Sequence, residues 1–461
     1  MSRHAILTFL LLGGVYGAAF LILTPPYQGP DEPNHLYRAY AISTGEWEPD
    51  LSTQRRGGAV PTALVELFAA FRLLRWDARR QTTAAEVRRF AKVPLRPQAT
   101  TFIDYPNTAV YPAVVYLPAA GGLWVAGRLG TSTLHTLYLA RAAGLLTWLL
   151  AGALTLWLLP IARWLFVALL LLPMSVFTHA VVSADTLTDG VAFVAVTYLL
   201  YLALGRTDRL GARELVVLSV LAAGLASTKL VYTPLLLLGV LIPRERFGGW
   251  GPKLAAGVLL GGLTAGVMLF WSGRSAEIYL ARSAYDAGVE QELHLPRQAD
   301  VGAQGARIAR APHRLLSAAA NSLRDAAGMY LPGYIGTFGW LDLRLPRGLV
   351  WGAYLWLLVV ALLAGAPGMR LGWWHRGVLL TAAVGCYLLV VLSQLLSWEP
   401  VGSGTVGTIQ GRYLTPIGPL LFLLFNRPQR PWPGLPWLVS GGSLVLLTSS
   451  VYLVYLRYYV G

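Results

Sequence analysis

In a chain this poor in charge, the few short stretches that carry ionisable side chains are the places where chemistry can happen. The first is Pro30-Asp31-Glu32-Pro33-Asn34-His35-Leu36-Tyr37-Arg38. Pro33 suits the first position of a helix, with Asp31 or Glu32 at its N-cap. That spacing puts His35 and Arg38 three apart, on one helix face. The positive helix N-terminus favours an ionised Asp31, as a general base requires. A plain helix cap with surface charges is the competing reading. A second acidic stretch is Ser183-Ala184-Asp185-Thr186-Leu187-Thr188-Asp189, with His179 nearby as a hydrogen-bonding partner. Asp185 is either an N-cap or a charge facing a polar interior, since ionisable groups at membrane depth are expensive. Lys229 and Arg412 are the matching cations. A guanidinium forks onto phosphate oxygens and a lysine adds a point charge, unless both merely snorkel to the interface. Aromatic and amide residues flank these stretches: Tyr105, Asn107 and Tyr111 early, Tyr334 and Trp340 late, with Gln410 beside Arg412. They suit stacking on and hydrogen bonding to a sugar, or an interfacial aromatic belt.

The elements that must position these groups are apolar helices. The 461 residues are 55% hydrophobic and 13% charged, about half the charge of a soluble protein. Runs such as 5–23, 254–271 and 377–396 are near 20 residues long, enough to span ~30 Å of hydrocarbon at ~1.5 Å per residue. Backbone groups in lipid must be paired within the segment, which makes the spans helices, and the runs lack the alternation of a β-barrel. The fold class expected is an all-α polytopic membrane protein of about eleven spans: 5–24, 136–159, 162–181, 187–204, 214–228, 230–242, 254–271, 348–365, 377–396, 413–425 and 435–456. The first run is read as a retained helix, too long for a signal-peptide core.

Charge orients the array. With the N-terminus inside, every short cytoplasmic connection is basic: Arg163; Arg206, Arg209 and Arg213; Arg244, Arg246 and Lys253; Arg370 and Arg376; Arg427 and Arg430. This follows the positive-inside rule, gives an N-in, C-out chain, and explains the +15 net charge without nucleic acid. The whole chain, 1–461, is then one membrane domain with two large extracytoplasmic loops, 25–135 and 272–347. The apolar stretch 109–127 is expected to dip into the outer face rather than cross, because a crossing would invert the charge pattern. The short pair 214–228 and 230–242 is alternatively a broken hairpin around Lys229. Residues 62–76 place Leu64, Leu67, Phe68, Phe71 and Leu74 on one helical face, as membrane-surface helices do. Cys386 is the single cysteine, so no disulfide or cysteine metal site forms. No phosphate loop, HExxH or GxSxG motif is present.

Together these features resemble the GT-C class of membrane glycosyltransferases. The resemblance rests on Asp31-Glu32 after the first span, Asp185 after the third, the Ser227-Thr228-Lys229 end of the fifth, and the two large outer loops. More narrowly, Pro30-Asp31-Glu32-Pro33-x-His35, Gly339-Trp340-Leu341-Asp342 and Gln410-Gly411-Arg412-Tyr413-Leu414-x-Pro416 are similar to a bacterial predicted-membrane-protein family called domain of unknown function 2142. The GT-C resemblance implies a polyprenyl-phosphate-linked sugar donor, a glycan, lipid or protein acceptor, and transfer with inversion at the outer face of the cell membrane. It implies Asp31 as base, Asp185 or Glu32 orienting acceptor or base, and Lys229, Arg412, Arg38 and His35 on the donor phosphate. Some members of the class hold a divalent cation, for which Asp31, Glu32, His35 and Asp185 are the available ligands. The alternative of another class is a transporter or flippase for a lipid-linked saccharide, disfavoured by the absence of internal repeats. A glycan polymerase or a non-catalytic assembly subunit stands further off.

Overall fold

The computed structural model describes residues 2–51, 55–205, 208–279, 299–365 and 371–460. Among them, helices dominate and strands are confined to two short antiparallel ribbons, Gly57–Pro61 with Thr100–Asp104 and Thr337–Phe338 with Leu343–Arg344. Arg206, Arg370 and the 280–298 part of the second loop, on which the expected topology also draws, lie outside the described residues.

Among the described residues, six helices are long and apolar enough to cross a membrane: Arg3–Leu23, Thr133–Leu158, Asp185–Gly205, Trp250–Ile278, Trp373–Ser397 and Leu435–Tyr459. Each coincides with an expected span. The remaining segments expected to span form shorter or broken elements. Residues 162–181 divide into Arg163–Leu170 and Pro173–His179, because Pro173 has no N–H to continue the helix. Residues 413–425 divide into a 3-10 turn, Gly411–Leu414, and a short helix, Gly418–Leu423. Ala212–Thr228 and Arg347–Leu363 are single helices of 17 residues each. Leu230–Leu241 is a 12-residue 3-10 helix with Pro234 inside it. At ~2.0 Å per residue it reaches ~24 Å, where an α-helix of that length reaches ~18 Å.

The Asp185–Gly205 helix is the most enclosed of the six, with 72% of its apolar window buried, whereas Trp250–Ile278 is 11% buried. The latter exposes Leu254, Val258, Leu269 and Phe270, an apolar surface that water would not tolerate and lipid does. The first helix packs closely on Thr133–Leu158. A Cβ on Gly152 would lie 2.4 Å from the Phe9 ring, so glycine there sets the helix separation.

Two outer-loop expectations resolve differently from one another. The apolar stretch 109–127 contains a 3-10 turn, Ala113–Tyr116, and a helix, Leu117–Leu129, packed on Thr133–Leu158 and Glu32–Ser43. It is shorter than any of the six helices long and apolar enough to cross. The amphipathic segment 62–76 is helical over Thr62–Phe71, and its predicted apolar face is buried. That face does not lie on a membrane surface as expected. It covers the protein's own 25–28 turn: the Tyr27 hydroxyl donates to the Leu64 carbonyl at 3.1 Å, Gln28 donates to the Phe71 carbonyl at 3.0 Å, and Phe68 packs edge-on to Tyr27.

Candidate functional site

Asp31, Asp185, Lys229 and Arg412 come from four separate parts of the sequence and line one cavity of about 310 Å³. Lys229 Nζ donates to Asp185 Oδ1 at 2.5 Å, and Arg412 Nε lies 3.3 Å from Asp185 Oδ2. Arg412 Nη2 is 3.9 Å from Asp31 Oδ2. The result is a row of alternating charge, Lys229, Asp185, Arg412, Asp31, in which Asp31 is the end member and the most accessible at 28% side-chain exposure.

Local sequence explains each placement. Asp31 sits at the N-cap of Glu32–Ser43 in the left-handed region, φ 55°, and its carboxylate makes no cap hydrogen bond. The helix end was expected to hold Asp31 ionised; instead burial pushes its pKa above the ordinary value, against the opposing pull of Arg412 and Arg75. Asp185 is the first residue of its helix rather than its cap, so its side chain is free for the two cations. Lys229 occupies an extended joint, φ −143°, between Ala212–Thr228 and the 3-10 helix, and its ammonium rests 4.7 Å from the Tyr413 ring centroid. Gly411 places Arg412. A Cβ there would lie 2.1 Å from the Gly333 carbonyl carbon, so only glycine lets the 411–414 turn seat on the Ala327–Gly336 helix.

Other expected site residues divide into those that reach the cavity and those that do not. His35, Asn107, Tyr111, Trp340 and Gln410 line it. His35 bonds to the Tyr116 hydroxyl through Nδ1 at 2.9 Å, and burial, with Arg412 nearby, lowers its pKa to about 3. A lowered pKa favours the neutral imidazole, which acts through hydrogen bonds rather than charge. Arg38 is turned away: fully buried, it donates to the Trp47 carbonyl at 2.6 Å. Tyr105 and Tyr334 are buried and line no part of the cavity, Tyr334 stacking on Tyr354.

Glu32 is the largest departure. Its carboxylate takes Arg141 Nε and Nη2, each at 2.7 Å, and both side chains are fully buried. The backbone N–H groups of Gly29 and Val182 complete its shell. Glu32 therefore clamps the end of the first helix to Thr133–Leu158, and it lines no part of the cavity. With Glu32 removed, the divalent-cation ligand set fails to assemble, and among the described residues no three His, Cys, Asp or Glu side chains group as metal ligands.

Sequence reasoning missed Arg141, which looked like one more charge in a span, and also Trp76, Thr337, Arg344 and Trp398, which complete the lining. It missed a second cavity as well. This one, about 640 Å³, is bordered by Val110, Leu230, Trp271, Ala276, Val390 and Leu396, and it shares Lys229, Tyr111 and Tyr413 with the first. One wall is the exposed Trp250–Ile278 helix. Deeper in the bundle, His179 Nε2 lies 3.4 Å from Asp189 Oδ2, with Trp148 stacked on the imidazole at 3.9 Å.

The sequence profile of the family described as "Predicted membrane protein (DUF2142)" matches residues 15–421, and the chain belongs to that family. No curated protein and no solved structure matches the chain.

Proposed function

Taking membership of that membrane family as the premise, we propose that this protein is a glycosyltransferase. It moves a sugar from a polyprenyl-phosphate donor to an acceptor at the extracytoplasmic face, with inversion, in cell-envelope glycan or glycoconjugate synthesis. The observation that carries this reading is the junction of the two cavities at Lys229. A lipid-linked phosphate needs an apolar channel ending at cations, and a transferase needs a base beyond them. Here the 640 Å³ apolar cavity meets Lys229, Arg412 follows, and Asp31 stands past Arg412. The expected GT-C-like arrangement of about eleven spans would put these residues on one side of the membrane, in keeping with the same assignment.

In this mechanism Lys229 and Arg412 hold the donor phosphate. Arg412 Nε and Nη1 are buried without hydrogen-bond partners, a costly state that phosphate oxygens relieve. The Asp31 carboxylate removes the acceptor hydroxyl proton as the acceptor oxygen bonds to the anomeric carbon. The anomeric C–O bond to phosphate breaks, and its electron pair leaves on the phosphate oxygen. Charge growing on that oxygen is stabilised by the same two cations. Asp185 keeps both cations in place and is the internal counter-ion that the phosphate partly supplants.

The test is purified full-length chain in lipid nanodiscs, given a polyprenyl-phospho-sugar and a panel of acceptors. Product carrying the transferred sugar supports the reading. Intact donor over long incubation, across sugars and acceptors, counts against it. One observation favours a flippase instead: the His179–Asp189 pair sits inside the helical core, as proton-relay groups in transporters do. Movement of the lipid-linked saccharide across vesicles without transfer would select that alternative.

A further inference from the structure

The portion of the 310 Å³ cavity that is not shared with the apolar cavity is built differently from the rest. Trp76 and Trp340 form its wall, with ring centroids 5.5 Å apart and planes at 74°. Trp76 Nε1 donates to the Trp340 carbonyl at 3.1 Å, and Trp340 Nε1 donates to the Tyr27 carbonyl at 2.9 Å. Both indole N–H groups are thus engaged, which fixes the rings. The Arg75 guanidinium lies about 5 Å from both indoles, 5.0 and 4.9 Å from the centroids. Trp340 itself is presented on the Gly339-Trp340-Leu341-Asp342 turn that joins Thr337–Phe338 to Leu343–Arg344.

Two further features mark this wall as a binding surface. Among the described residues, six that are not glycine have positive φ: Tyr27, Asp31, Trp76, Arg96, Ala162 and Leu341. Asp31, Trp76 and Leu341 line this cavity, and Tyr27 anchors Trp340. Strained backbone concentrated in this way is characteristic of ligand clamps. In addition, Thr337 Oγ1 and Gln410 Oε1 are buried cavity-lining atoms with no hydrogen-bond partner, and Thr337 is only 5% exposed.

We propose that this wall is the acceptor subsite and that the acceptor is a saccharide, its ring stacked against Trp76 and Trp340 and its hydroxyls bonded to Thr337 and Gln410. The proposal rests on the transfer reading and names the acceptor that reading leaves open. A sugar ring offers an apolar face for the indoles and a rim of hydroxyls for the two unpartnered oxygens. A lipid chain would leave those oxygens unpaired and the fixed tryptophans without purpose. Arg344, exposed at the same mouth, adds a positive charge suited to a carboxylate-bearing sugar. The position is right for acceptance: Arg75, over both indoles, is also among the charges acting on Asp31.

The experiment applies full-length chain in nanodiscs to an array of soluble neutral and uronic-acid oligosaccharides, with polyprenyl phosphate and its sugar-linked form as separate probes. The expected result is retention of at least one oligosaccharide, weakened tenfold or more by Trp76→Gly and largely restored in Trp76→Phe. Glycine suits the Trp76 backbone at φ 55°, and the side chain is half exposed, so this variant removes a ring without disturbing a core. Retention of the sugar-linked lipid that falls with Trp76→Gly would assign the indoles to the donor's sugar and overturn the proposal. So would glycan retention untouched by Trp76→Gly. Absence of glycan retention by chain that still binds polyprenyl phosphate overturns the saccharide acceptor and leaves the transfer reading standing. Loss of both kinds of binding in the unmodified chain strikes the transfer reading itself.

Discussion

Glu32 and Asp31 are adjacent in sequence and belong to two charge clusters with opposite states of satisfaction. In the Glu32–Arg141 cluster nothing is left over. Arg141 uses Nε and Nη2 on Glu32 and gives its remaining N–H groups to the carbonyls of Leu21, Thr24 and Pro25. Glu32 in turn accepts from Arg141, Gly29 and Val182. In the Asp31 cluster, Arg412 keeps two buried nitrogens without hydrogen-bond partners, and Asp31 reaches Arg412 only at 3.9 Å. A saturated ion pair suits a structural role; an unsaturated one beside a cavity leaves hydrogen-bonding capacity for a ligand, as the transfer proposal requires. Residue type alone does not separate the two, and hydrogen-bond saturation does.

The contrast is tested most severely by mutating one residue from each cluster. Asp31→Asn is expected to lower turnover about 10³-fold, within the ~10²–10⁴ that a general base contributes, while its thermal midpoint stays near that of the unmodified chain. Paired turnover and melting measurements check both halves, and an unstable Asp31→Asn would remove the distinction. Arg141→Ala is expected to cost about 3–5 kcal/mol of stability, because it leaves Glu32 buried and unpaired. Denaturation in detergent reads it, and an unchanged melting curve would show that the Glu32–Arg141 pair does not hold the helices together.

Arg412→Lys keeps the charge but loses the fork, and is expected to weaken polyprenyl-phosphate binding by about 1.5–3 kcal/mol, roughly ten- to hundredfold, with little change in stability. Binding titration in nanodiscs measures it. The smallest effect is in pH dependence. The proposed base, Asp31, would work only when ionised, and burial raises its pKa. Activity is therefore expected to fall as pH drops through a value above the ordinary aspartate range, higher than an exposed carboxylate would give. Arg412 pulls that pKa down, so Arg412→Gln should move the acidic limb of kcat/KM further upward.

Much of this is legible in the sequence, and the failures have physical causes. The six long helices follow from hydropathy; loop charge gives the expectation that Asp31, Asp185, Lys229 and Arg412 share one side, and their meeting in one cavity is what the fold adds. Glu32 misleads because its partner, Arg141, is 109 residues away and looks like any arginine in a span. Arg38 misleads because its partners are backbone carbonyls, which no sequence pattern announces. The apolar face of 62–76 is visible, but an amphipathic stripe does not say whether lipid or the same chain covers it, and here Tyr27 and Gln28 do. Trp76 escapes notice because its place in the cavity wall depends on a left-handed backbone and on Trp340, 264 residues later. The apolar cavity is a space between helices, and periodicity describes only the helices.

The most direct measurement is an experimental structure of the full chain with polyprenyl phosphate bound in nanodiscs. Phosphate oxygens are expected on Lys229 and Arg412, next to Asp31, with the isoprenoid chain in the cavity walled by Trp271 and Leu230. A phosphate bound away from these two cations, or a lipid chain lodged beside His179 and Asp189 with the 310 Å³ cavity left empty, would contradict it.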